Sequence, residues 1–165
     1  MTRERGCMRT RRTEIIKELE KGLEETTAFY QSLHPEQLGT QVYDDPAWTV
    51  KQVLAHFTTI EKTMHWLFND ILSGGRGSPE NFDVDRFNRT QPAKLDGLTL
   101  DELIARFTFV RQETIAIVKK MADEDLDREG RHAFHGQGKL GRFIRWAYEH
   151  VRLHEEDVRK VLRIT

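Results

Sequence analysis

The sequence predicts an all-α fold, a four-helix bundle in up-down-down-up order, from three observations. Apolar residues recur at helical spacing in four separate segments. Two of these segments open with a capping box. The link between the second and third segments is long enough to run the length of a bundle.

The chain opens with MTRERGCMRTRR, five arginines in twelve residues. Residues 1–12 read as a flexible basic tail ahead of a single domain over residues 13–165. Met8 offers a second translation start within it. Cys7, the only cysteine, has no histidine near it in sequence and makes a poor catalytic thiol. The first helix is expected from about Thr13 to Leu33, with Ile15, Ile16, Leu19, Leu23, Tyr30 and Leu33 on one face. The second runs from Val50 to about Leu72: Thr49 and Gln52 form a capping box, and Trp48 and Val53 a hydrophobic staple. Thr99 and Glu102 repeat the device between Leu98 and Leu103 and open the third helix, which carries Phe107, Val110, Ile117 and Met121. The fourth carries Leu140, Phe143, Ala147, Val151, Val158 and Val161. Each box satisfies orphan amides and contributes about 1 kcal/mol.

A helix of about 24 residues is roughly 36 Å long. The crossover at roughly residues 73–98 spans that distance with slack, so the second and third helices can run parallel. A short link would force them antiparallel.

Composition narrows the function. Hydrophobic residues make up 38% and charged residues 32%, and 26 basic residues balance 27 acidic ones. No large field draws this chain to nucleic acid, and no apolar run is long enough to span a bilayer. The basic start lacks the apolar stretch of a secretory signal, and a lone cysteine suits a reducing compartment, so a cytoplasmic location is expected.

Seven histidines remain to be sorted. His34 precedes Pro35 at the end of the first helix, where it meets exposed carbonyls. His132 and His135 fall in the last loop without ligand spacing and read as solvated. His56 belongs to the apolar row Val53, His56, Ile60, Thr63, Leu67. His65 shares a face with Glu61, Lys62 and Asn69 and reads as solvent-facing. On the fourth helix the row Phe143, Ala147, His150, His154, Val158, Val161 puts two histidines where the pattern asks for core.

Their heights can be compared. His56 lies roughly 10 Å from the start of its helix, and His154 and His150 lie roughly 12 and 18 Å from the end of theirs. Antiparallel second and fourth helices bring His56 level with His154; parallel ones miss. Three converging imidazoles suit one divalent transition metal such as zinc, nickel, copper or iron, with a fourth position open. The competing reading is a hydrogen-bonded polar trio in the core. The spacing is not the zincin HExxH, because Val151 follows His150.

WTVKQVLAHF, the crossover segment DVDRFN, GLTLDELIARF and WAYEHVRLHEEDV occur in this order over about residues 13–162. In these elements the chain resembles the DinB-like (DinB/YfiT) family of metal-dependent enzymes. The resemblance implies an up-down-down-up bundle with His56, His150 and His154 as metal ligands and zinc or nickel as the metal. It also implies a small-molecule substrate. Some relatives transfer low-molecular-weight thiols of the bacillithiol or mycothiol type to electrophiles, and others isomerise or hydrolyse. Thiol transfer is the first expectation, with a thiol supplied from outside the chain, and metal-dependent hydrolysis is the second. A stress-response module that holds metal or ligand without turnover is the third. Glu149 and Glu155 flank the core row and read as solvated acids, so no catalytic carboxylate is assigned. Trp146 and Phe143 are candidates for a pocket lining, with core packing the competing reading. Asp83, Asp85, Arg86 and Arg89 of the crossover are candidates for ligand contact. Bundles leave apolar faces that pair, so a homodimer is a further expectation.

Overall fold

A computed structural model describes residues 9–165. The expectations for residues 1–8, including Cys7 and both candidate start methionines, lie outside the described residues. The first helix, α1 (Arg11–Gln31), begins two residues ahead of the expected Thr13 because Thr10 caps it, its side chain accepting from the Thr13 amide. Arg11 forks onto Asp123 and Asp127, and Asp123 also accepts from the Arg12 amide at 2.9 Å. Four further helices follow: α2 (Val50–Leu72), α3 (Val84–Thr90), α4 (Leu100–Lys120) and α5 (Leu140–Leu162). Both capping boxes form as the sequence predicts, at the starts of α2 and α4.

Two side-chain clusters establish the helix order. One gathers Ile15 and Leu19 from the start of α1, Phe68 and Ile71 from the end of α2, Val118 from the end of α4, and Leu140 and Phe143 from the start of α5. The other joins the end of α1, the starts of α2 and α4, and the later part of α5, through Tyr30, Val53, Phe57, Leu103, Phe107 and Val158. Hence α1 and α5 run one way and α2 and α4 the other, which is up-down-down-up. The long link lets α2 and α4 lie parallel, and α2 is antiparallel to α5.

Between these clusters lies a buried ion pair. Arg111 of α4, with no exposed surface, donates to both carboxylate oxygens of Glu61 at 2.7 and 3.0 Å. It also donates to the carbonyls of Leu19 and Ala147, so one guanidinium ties α1, α2, α4 and α5 together. This corrects the reading of His65 and Glu61 as solvent-facing: they are 7% and 1% exposed. Thr114 supplies the reason, since its hydroxyl bonds Glu61 at 2.7 Å and lies 2.7 Å from His65 Nε2. Glu155 is likewise buried rather than solvated, and burial raises its pKa.

The segments read as plain loops carry structure. The crossover holds α3 and a 3-10 turn at Pro92–Leu95. The last connection holds a 3-10 turn at Asp123–Asp127 and a hairpin of β1 (Glu129–His132) and β2 (Gly136–Lys139), with His132 opposite Gly136. The hairpin is pinned to the crossover at Gly77, whose φ is 86° and where an added Cβ would fall 2.4 Å from the Arg131 carbonyl oxygen. Among the described residues no helix is long and apolar enough to cross a membrane.

Candidate metal centre

The antiparallel pair α2 and α5 brings together the three histidines singled out by the apolar rows. His56 Nε2 lies 3.0 Å from His150 Nε2, which in turn lies 2.9 Å from His154 Nε2. His150 and His154 share one face of α5 because four residues are about one turn. His56 lies under Trp48, the staple residue before α2, with ring centroids 4.3 Å apart.

The protons of this cluster can be placed. The Tyr43 hydroxyl donates to Asp157 Oδ2 at 2.7 Å and lies 2.6 Å from His154 Nδ1. Burial, and next the bond to Asp157, hold the phenol protonated. With its proton directed to Asp157, the Tyr43 oxygen accepts from His154 Nδ1–H, which leaves a lone pair on His154 Nε2. Burial, with the neighbouring His154 next, lowers His56 to about 3. Burial also lowers His150 and His154, opposed at His154 by the Asp157 charge. All three rings are therefore neutral at pH 7. Among three neutral rings with a lone pair on His154 Nε2, at most one of the two short contacts is a linear hydrogen bond. The His56 Nδ1 is buried without a partner. Unpaired buried groups of this kind cost on the order of 1–3 kcal/mol each.

Crowded lone pairs repel one another and suit a cation. Two nitrogens bound tetrahedrally at zinc distances are about 3.3 Å apart, so a few tenths of an ångström of opening would admit the ion. The donor set therefore fits a divalent transition metal.

The cluster forms part of the wall of a cavity of about 400 Å³. Pro46, Val84, Phe134, Trp146 and Leu153 supply apolar walls, with Asp45, Asn88 and His132 among the polar groups. Of the expected lining residues, Trp146 faces this cavity, whereas Phe143 is buried in the core. The four charged crossover candidates are not brought to it. Asp83 caps α3, and Arg89 bonds Asp45 at 2.6 Å, while Val84 and Asn88 of the same helix line the wall.

Three contributors escaped the sequence reading. His132 is buried in the hairpin and lines the cavity rather than standing in solvent. Tyr43 lies 111 residues from His154, and no local pattern joins them. Asp157 did carry a signal, since it follows His154 by three residues and so shares its face.

Comparison with known proteins gives four findings. The profile of the DinB superfamily matches residues 13–158. The fold resembles that of YfiT from Bacillus subtilis, described as "a probable metal-dependent hydrolase with an unusual four-helix bundle topology". The TM-score is 0.75 at 17% identity, covering 99% of this chain and 89% of YfiT. It also resembles the colibactin self-resistance protein ClbS, solved in complex with a double-stranded DNA, with TM-score 0.68 and 12% identity, covering 93% of this chain and 94% of ClbS. No curated protein sequence matches.

Proposed function

The chain belongs to the DinB superfamily, and from that premise we propose a metal-dependent enzyme in which His56, His150 and His154 hold one zinc or nickel ion. The observation that carries the proposal is the Asp157–Tyr43–His154 chain, which turns the His154 Nε2 lone pair towards two other imidazoles. When bound, such a cation supplies a Lewis-acidic centre with a position open to a small molecule, lowering the pKa of a thiol or water there.

The residues of the chain account for the rest. Tyr43 holds a proton at His154 Nδ1, Trp48 packs on the His56 ring, and Phe134, Trp146 and Leu153 present apolar surface to the cavity. We assign transfer of a low-molecular-weight thiol, of the bacillithiol or mycothiol type, to an electrophile. None of the described residues lining the cavity is a cysteine, and in this reading the sulfur comes from a second small molecule. Neither acid at the cavity is free to act as a base, since Asp157 accepts from Tyr43 and Asp45 from Arg89. A thiol, with an ordinary pKa of about 8.5, needs less help to lose its proton than water does. Hydrolysis is the second reading, favoured by the likeness to YfiT.

The test incubates nickel- or zinc-loaded protein with thiols and a panel of electrophiles, and separately with esters and no thiol. Thiol consumption that disappears in a His154→Ala variant supports transfer. Ester cleavage without thiol selects hydrolysis. If neither occurs, the protein holds its ligand without turnover.

A further inference from the structure

His132 is a cavity residue whose hydrogen-bonding capacity neither the imidazole cluster nor the fold uses up. It ends β1, and its Nδ1 accepts from the backbone amides of Phe134 at 3.0 Å and His135 at 3.2 Å. A neutral imidazole whose Nδ1 accepts carries its proton on Nε2. That nitrogen bonds no group among the described residues and is not among the buried unpartnered atoms. The side chain lines the cavity, so a molecule bound there is within the reach of this unused donor. Burial, with His135 and Arg142 contributing, lowers the ring to about 4, so near neutral pH it remains an uncharged donor, aimed by two backbone amides.

The surroundings narrow what this donor meets. Phe134, 67% exposed, stacks on Trp146 at 6.0 Å and 12°, and Leu153 is 55% exposed on the wall. Among the described residues no lysine or arginine lines the cavity, whose charged groups are Asp45 and Asp157. In the metal-free protein a carboxylate or phosphate would meet these two acids and no free cation, since Arg89 is held by Asp45. Asn88 adds a second polar group, its Oδ1 buried and unpartnered.

We propose that the cavity takes an uncharged, largely apolar carbonyl compound, with His132 Nε2–H donating to the carbonyl oxygen and the Phe134–Trp146 stack packing against its body. The inference rests on the cavity being the substrate site, and it names the class of electrophile.

The experiment measures binding by ligand-observed and protein-observed NMR in metal-free and nickel-loaded protein. The probes are acetophenone, ethylbenzene (similar in shape, without the acceptor) and benzoate (an anion). A ¹⁵N-histidine spectrum reads the His132 tautomer directly. His132→Asn keeps an acceptor where Nδ1 was, so the turn survives, and removes the Nε2–H donor; an amide spectrum checks its fold. The expected result is a proton on Nε2, benzoate as the weakest probe of the metal-free protein, and acetophenone binding weakened about 2- to 10-fold in His132→Asn with ethylbenzene unchanged. A proton on Nδ1 overturns the proposal. Equal losses for acetophenone and ethylbenzene, preference of the metal-free protein for benzoate, or no acetophenone binding at millimolar concentration do so as well. Because binding is also read without metal, failure of the metal reading and failure of this one are separately visible.

Discussion

Replacing Tyr43 with phenylalanine removes one oxygen and tests how the imidazole cluster is held. That oxygen lies 2.6 Å from His154 Nδ1 and 2.7 Å from Asp157 Oδ2, whereas the ring packs edge-on to Trp48 at 6.2 Å. The ring contact survives the change and the two polar contacts do not. Without the Tyr43 oxygen, His154 is free to take either tautomer and to turn in its place. Loss of such an outer partner typically weakens metal binding 10- to 100-fold, about 1.4–2.7 kcal/mol. The assay is competition for zinc against a chromophoric chelator at pH 7, with thermal denaturation of the metal-free protein as a control for folding. Asp157→Asn is expected to weaken binding too, and the double variant to lose less than the sum, because both act through one chain. The reasoning is refuted if Tyr43→Phe binds zinc within twofold of the parent while His154→Ala has lost the ion.

Two further outcomes concern stability. Arg111→Met leaves the Glu61 carboxylate buried without its partner and is expected to cost about 3–5 kcal/mol in urea denaturation, with Glu61→Leu added to it recovering most of the loss. An Arg111→Met protein as stable as the parent would contradict that role. His132 is neutral in the fold and titrates at about 4, against about 6.5 when unfolded. Its contribution is fully present above pH 6.5 and is lost as pH falls towards 4, by roughly 3 kcal/mol at most. His132→Asn should therefore flatten the acid side of the stability curve, and an unchanged slope in equilibrium unfolding would contradict the burial of a neutral ring.

How much was legible beforehand depended on whether the deciding contact was local. The starts of α2 and α4 were written in Thr49–Gln52 and Thr99–Glu102, because a capping box closes within one turn. The histidine rows were legible because helical periodicity shows which face each side chain takes, and the crossover length permitted the topology that aligns them. Glu61 and His65 were misplaced because their partners, Arg111 and Thr114, lie 50 and 49 residues away, and polarity read along one helix cannot show a neutral or paired group in the core. The hairpin escaped because GRH and GQGK offer no alternating apolar residues, and Gly77 docks it through backbone alone. His132 was lost with it, since only the hairpin carries that ring to the cavity wall.

The central claim is that His56, His150 and His154 form a metal centre. It is tested most directly by the metal content of untagged protein, measured by mass spectrometry beside an identically prepared His154→Ala variant. The account predicts near-stoichiometric zinc or nickel in the parent and its loss in the variant. A parent protein that is isolated empty, and stays empty after incubation with zinc and with nickel, would contradict it and leave the three imidazoles a polar seam between α2 and α5.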